Sequence, residues 1–342
     1  MFEGGVFLKI SSRRYTGNKY KLMSWIKRLI LEHCLEHETF FDVFGGTGVV
    51  TAEMLDVVQS AIVNDFLYSN EVCYKAFFGS ECYDVQKLKQ FADEVAIVDR
   101  KVLGDNYVSS NYGGRYFEYG DAKLIGAVRE RIQSDYVGGS FNEREFSILL
   151  ASLLYSFDRC ANTVGHYDAY IKKSCPSNFV FKLIEPIVSE TDVTIYREDA
   201  NELARRISAD IAFVDPPYNS RQYSRFYHVM ETIVKWDKPL LSGTAMKPPL
   251  ENMSEYSRVN APIVFADLIR NLKVRYIVVT YNNTYDSKSS SSRNKITLEQ
   301  IKEILNSRGK TRIFEKGHSR FNAGKTDSTK HKEILFITEV YE

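Results

Sequence analysis

Asp215-Pro216-Pro217-Tyr218 follows the apolar run "IAFV" and places a carboxylate, two prolines and a tyrosine where a buried strand should end. Proline lacks an N–H and fixes φ, so two in succession cannot extend a strand ladder and instead form a stiff elbow with free carbonyls. The Asp215 carboxylate and a carbonyl of Pro216 or Pro217 can accept both hydrogens of an exocyclic amino group, and the Tyr218 ring offers a face to a planar base. An aromatic amine is a weak nucleophile because its lone pair is delocalised into the ring. Acceptors that hold both N–H groups favour a pyramidal nitrogen, whose lone pair can attack a methyl sulfonium directly. Acceleration would then come from positioning and electrostatics, with no covalent enzyme intermediate. Tyr223, Phe226 and Tyr227 follow closely and fit either core packing or a pocket wall.

A second group of residues lies upstream. "FFDVFGGTGVV" contains Asp42, Phe44, Gly46 and Gly48 between a strand and a helix, where glycine permits a tight turn and close approach of backbone to ligand. Asp65 ends the next strand, "SAIVND", where nucleotide-binding α/β folds place an acid on ribose hydroxyls. The spacing departs from the dinucleotide fingerprint G-x-G-x-x-G, which counts against NAD.

These residues need a scaffold. "KLMSWIKRLILEHCL" has helical periodicity; "TFFDVF", "SAIVND" and the helices between and after them alternate as in a parallel α/β sheet. The alternation breaks near residue 80. Residues 80–189 read as helices around the polar aromatic loop "GDNYVSSNYGGRYFEYGD", and strands return at "VTIY", "IAFVD", "RYIVVTY" and "EILFITEV". The expected organisation is a sheet domain from 1–79 and 190–342, interrupted by a mostly helical insert over 80–189. Tyrosines and asparagines around "NYGGRYFEYGD" are candidates for reading a partner's surface, and "YDSKSSSSRNK" reads as a polar loop.

Composition limits the remaining possibilities. The 342 residues are 44% hydrophobic and 26% charged, with 45 Lys and Arg against 44 Asp and Glu, so net charge alone does not indicate nucleic acid. Its distribution does: Lys288–Lys332 holds twelve basic and four acidic residues, a phosphate-facing surface or a solvated one. Within it Arg320, Lys325, Lys330 and Lys332 are the candidate phosphate contacts of a nucleic-acid partner. Five cysteines, an odd number without a C-x-x-C, support neither a disulfide framework nor a zinc ribbon and suggest a reducing, cytoplasmic setting. Neither a secretory leader nor a membrane span is expected. His33, Cys34 and His37 share a helix but lack the glutamate of H-E-x-x-H and a third ligand, so no metal is expected. Cys175 precedes its proline, the reverse of the Pro-Cys of cytosine-C5 methyltransferases, and reads as an ordinary cysteine.

The order "YTGNKYKL", "DVFGGTG", insert, "DPPY" covers almost the whole chain and resembles the Dam-like, alpha-group DNA adenine-N6 methyltransferases, which use S-adenosylmethionine. The resemblance implies a Rossmann-like class I methyltransferase sheet, mostly parallel with an antiparallel last strand, and an inserted target-recognition domain. It implies that Tyr15 and Lys19 lie near the methionine part of the cofactor, and that Asp42, Phe44, Gly46 and Gly48 form its loop. Asp65 would take the ribose and Asp199, in "YREDANEL", the cofactor adenine. Asp215 and Tyr218, with Pro216 and Pro217 between them, would face a flipped-out adenine in double-stranded DNA. Gly45 departs from the family pattern, where Ala is common. An RNA or cytosine-N4 amino methyltransferase and a catalytically idle DNA-binding subunit remain alternatives. A cognate restriction endonuclease, the oligomeric state and the recognition site are left open.

Overall fold

Continuous apolar runs of β-branched and aromatic residues give the central strands two buried faces, and the sheet they form separates two layers of helices. The protein is described by a computed structural model over residues 7–172, 175, 177–282, 294–317 and 332–341. In chain order its elements are α1 (Met23–His33), β1 (Thr39–Asp42), α2 (Val49–Met54), β2 (Ser60–Asn64), α3 (Tyr68–Phe78), α4 (Val85–Ala96), α5 (Tyr107–Tyr112), α6 (Tyr119–Val137) and α7 (Glu143–Cys160). Then follow β3 (Asp192–Tyr196), α8 (Ala200–Ala204), β4 (Ser208–Val214), α9 (Tyr223–Phe226), α10 (His228–Lys235), α11 (Ala261–Asn271), β5 (Lys273–Asn282), α12 (Leu298–Asn306), β6 (Gly309–Gly317) and β7 (Lys332–Val340).

The seven strands lie in the order β3-β2-β1-β4-β5-β7-β6. Neighbours from β3 to β5 pair in parallel, and β7 runs antiparallel to both β5 and β6. This is the mixed sheet of a class I methyltransferase fold. Phe40, Ile211, Phe213 and Val278 point to one face, packed by α1, α2, α3 and α10. Phe41, Ala212, Val214 and Val279 point to the other, packed by α8, α11 and α12. The edge strand β6 was not among the expected strands. Its "GKTRIFEKG" is largely charged because one side has no neighbour to bury it, and such edges resist unwanted pairing.

The insert differs from expectation in two ways. The stretch read as a loop contains α5, nucleated by Asn106, whose side chain accepts the N–H groups of Val108 and Ser109 at 3.1 Å each. Tyr112 and Tyr116, read as candidates for reading a partner's surface, are fully buried, and the Tyr116 hydroxyl donates to the carbonyls of Tyr167 and Ala245 at 2.8 and 3.0 Å. The insert helices share one apolar core with the sheet face covered by α1–α3. Buried Arg129 of α6 ties the two parts together, donating to the carbonyls of Ile233 and Val234 at 2.7 and 3.1 Å, at the end of α10.

Candidate active site

A cavity of about 990 Å³ opens at the C-terminal ends of the parallel strands, where β1 and β4 lie side by side and the strand order reverses direction. Open α/β sheets bind their ligands at such a switch point. Tyr15, Lys19, Phe44, Gly46, Asp65, Asp199, Asp215, Pro216, Pro217 and Tyr218 all line it. Asp42 and Gly48 do not.

Asp215 leaves β4 into the cavity held at both oxygens. Its Oδ2 is paired with the Lys19 ammonium at 2.7 Å, and its Oδ1 accepts the Thr280 hydroxyl at 2.6 Å. Lys19 is 8% exposed and also donates to the Gly17 carbonyl at 3.2 Å. Each carboxylate oxygen keeps a second lone pair, so Asp215 retains acceptor capacity toward the cavity. Tyr218 is 6% exposed, its hydroxyl donates to the Thr280 carbonyl, and its ring stands edge-on to Tyr281 at 4.9 Å. Burial lifts its phenol well above the ordinary range. The ring is therefore set rigidly, with a small part of its surface open to the cavity.

The glycine loop is built from its neighbours. Gly46 has φ +55°, and its N–H donates to Asp65 Oδ2 at 3.0 Å while Leu67 N–H takes Oδ1 at 2.9 Å. Burial raises the Asp65 carboxyl, and hydrogen bonds from Leu67, Asn70 and Gly46 oppose that rise. A Cβ on Gly46 would stand 3.3 Å from the Tyr15 ring. At Gly45 a Cβ would come within 2.5 Å of Val63 and 2.7 Å of the Tyr74 hydroxyl, so this chain has no room for the alanine common in the family pattern.

Asp42 lies beneath the loop, 1% exposed; its Oδ2 accepts the Thr51 hydroxyl at 2.8 Å, and Oδ1 has no hydrogen-bond partner among the described residues. Burial, opposed by the Thr51 bond and reinforced by Asp215 and Asp65, pushes its carboxyl up to about 7. Gly48, at φ +79°, faces Tyr74, Phe78 and Ile10, so it serves the turn and its packing. Asp199 caps α8 through Oδ1, which accepts the N–H groups of Asn201 and Glu202 at 2.9 and 3.1 Å.

Several residues around the cavity escaped sequence reading. Thr280 sits in a strand that reads as purely structural, with only the polar "TYNN" at its end as a signal. Tyr256 packs edge-on against Phe44 at 5.1 Å, and its hydroxyl donates to Asn201 Oδ1 at 2.6 Å. Asn64 joins three strand ends, donating to the carbonyls of Val43 and Glu198 at 3.2 Å each and accepting Glu198 N–H at 3.0 Å.

The remaining candidates lie elsewhere. Lys332 opens β7, exposed, and pairs with Glu315 at 2.6 Å; Arg320, Lys325 and Lys330 lie outside the described residues, as does most of "YDSKSSSSRNK". His33 stacks on Phe314 at 4.8 Å and His37 faces the Cys34 carbonyl at 3.1 Å. Among the described residues no cluster of His, Cys, Asp and Glu could hold a metal ion, and no helix is long and apolar enough to cross a membrane.

Residues 15–292 match the family of D12 class N6 adenine-specific DNA methyltransferases. The chain belongs to this family. It is similar to the type II methyltransferase M.NlaIII of Neisseria lactamica, 30% identical over 95% of this chain and 98% of that one. The type II methyltransferase M.CviAII of Paramecium bursaria Chlorella virus 1 is 31% identical over 90% and 92%. The modification methylase LlaI of Lactococcus lactis subsp. lactis is 31% identical over 79% of this chain but 46% of its own length, so the chain spans about half of that relative. The protein is thus an adenine-specific DNA methyltransferase by family, with relatives named as modification methylases.

Proposed function

We propose that the cavity binds S-adenosylmethionine on the glycine-loop side and a flipped-out adenine on the elbow side, and that the enzyme methylates adenine N6 at a specific site in duplex DNA. The observation that carries this reading is the convergence of Asp215, held by Lys19 and Thr280, and the Gly45–Gly48 loop, held by Asp65, on one cavity at the switch point. The cofactor fits the donor set. Gly46 brings bare backbone to the cavity wall under the Tyr15 ring, Asp65 and Asp199 supply carboxylates, and Phe44 and Tyr256 supply an aromatic corner. When bound, the cofactor supplies an electrophilic methyl group on a sulfonium.

The chain's own residues do the rest. Asp215 and a carbonyl of the Pro216–Pro217 elbow accept the two N–H groups of the amine, orienting its lone pair and offsetting the positive charge that develops on nitrogen. Tyr218, fixed by Thr280 and Tyr281, bounds the base pocket. Lys19 holds Asp215 in one geometry. Asp42 and Gly48 support the loop from below without lining the cavity. The insert would read the DNA site, and the basic stretch with Arg320, Lys325, Lys330 and Lys332 would face phosphate, although Lys332 shares its charge with Glu315. A modification role beside a restriction endonuclease, or an orphan role without one, is compatible with this chemistry.

Long-read sequencing of plasmid DNA from a methylation-deficient host expressing the protein tests the reading. N6-methyladenine at one recurring short site is the expected result. N4-methylcytosine would move the activity to another amino group, methylation confined to RNA would change the substrate, and unmodified nucleic acid would favour an idle DNA-binding subunit.

A further inference from the structure

The aromatics that follow the elbow take no part in the chemistry above, yet they lie against the turn that carries Lys19. Tyr227 is fully buried at the end of α9. Its hydroxyl accepts the Thr16 N–H at 2.8 Å, and the Tyr223 hydroxyl donates to the Thr16 carbonyl at 3.1 Å. Both backbone groups of one residue are therefore held by phenols from the segment into which the elbow leads. The Tyr15 ring lies flat on Tyr227, with centroids 4.6 Å apart and planes 9° from parallel. The Arg13 guanidinium stands 5.2 and 5.7 Å from the centroids of Tyr15 and Tyr227. Gly17, at φ +86°, then reverses the chain, and Lys19 returns to the Gly17 carbonyl and to Asp215.

We propose that Tyr227, supported by Tyr223, is a positioning residue for methyl transfer: it fixes the Tyr15–Lys19 turn so that the Lys19 ammonium is delivered to Asp215. The inference rests on the catalytic reading of Asp215. A lysine stem has many rotamers, and pinning its ammonium at one carboxylate oxygen requires that its backbone root be held as well. The turn belongs to no strand or α-helix, and at Thr16 it is the two phenols that hold it. Because the Tyr15 ring stacked on Tyr227 also covers Gly46, the same clamp borders the glycine loop.

Tyr227→Phe keeps the ring stack and removes only the hydroxyl. Wild type, Y227F, Lys19→Met and the double variant are compared in single-turnover methylation of unmethylated plasmid DNA at saturating S-adenosylmethionine. Hydrogen exchange over residues 14–22 and thermal unfolding are followed in parallel. Y227F should slow transfer by about tenfold, as expected for loss of the buried hydroxyl that accepts the Thr16 N–H and donates to Thr16 Oγ1. In the K19M background the same change should alter the rate by less than about twofold, because it acts through Lys19. Exchange over residues 14–22 should quicken in Y227F while the melting temperature stays within about 3 °C of wild type. Rate losses that multiply in the double variant, or an unchanged rate in Y227F, would overturn the positioning role. A wild-type protein that transfers no methyl to DNA would instead remove the catalytic reading on which the proposal stands, whatever the exchange result.

Discussion

On the glycine-loop side of the cavity, the parts that hold one another are close in the chain: Gly46 is fastened by Asp65, nineteen residues on, and Asp42 by Thr51, nine residues on. On the elbow side nothing is local. Asp215 is fastened by Thr280, sixty-five residues later, and by Lys19 from near the N-terminus, whose turn is clamped by Tyr227, 211 residues beyond Thr16. One side is made by a single strand–loop–helix unit and its neighbour, the other only by the finished sheet. Changes on the first side should therefore act on ligand affinity, and changes on the second on the rate of a bound complex.

The largest expected effect on the loop side is at Gly46. Gly46→Val adds a β-branched side chain at φ +55°, against the Tyr15 ring, in the backbone that borders the cavity. Calorimetry should find S-adenosylmethionine affinity weakened by more than about 100-fold in a folded protein, since a β-branched residue at positive φ both strains the loop and fills the site. Unchanged affinity would break the contrast between the two sides.

Asp65→Ala should weaken binding less, by about 10–100-fold, because it releases the Gly46 N–H as well as any bond to the ligand. An effect on transfer rate at saturating cofactor with no change in affinity would contradict its assignment to the loop side.

The smallest effect concerns Asp42 and is a matter of pH. Its carboxyl is raised by burial from 3.8 to about 7, so the folded state binds that proton more tightly than the unfolded chain. Stability from this group is full below about pH 4 and is lost as pH rises through about 7. Asp42→Asn keeps an acceptor for Thr51 and removes the titration. Relative to wild type, the variant should gain about 1–3 kcal/mol between pH 5 and pH 8, read from denaturant unfolding at each pH. Parallel pH profiles for the two proteins would show that Asp42 titrates normally.

The same contrast explains what the sequence made legible. Six of the seven strands announce themselves by apolar runs, and the glycine loop, Asp65 and the elbow are contiguous motifs that the fold brings to one cavity. β6 was missed because a charged edge strand lacks the apolar signal of a buried one. Tyr112 and Tyr116 of "NYGGRYFEYGD" were misplaced, while Tyr119 is exposed, because an aromatic-polar run looks the same whether its rings face solvent or turn inward from a helix end and the turn after it. Thr280 and the Lys19–Asp215 pair could not be read at all, since their partners meet only when β4 and β5 pair and the N-terminal turn folds over them. Gly45 is instructive in the opposite direction: a small departure in sequence corresponds to a position with no space for a methyl group.

The most direct test of the account is the single-turnover rate of Asp215→Ala on duplex DNA at saturating S-adenosylmethionine, with N6-methyladenine counted by mass spectrometry of digested nucleosides. Loss of a transition-state acceptor should slow transfer by about 100–1,000-fold, while cofactor affinity stays within about threefold of wild type. A variant that keeps more than about a tenth of the wild-type rate, or that loses rate only because the cofactor no longer binds, would contradict the assignment of Asp215 to the amine.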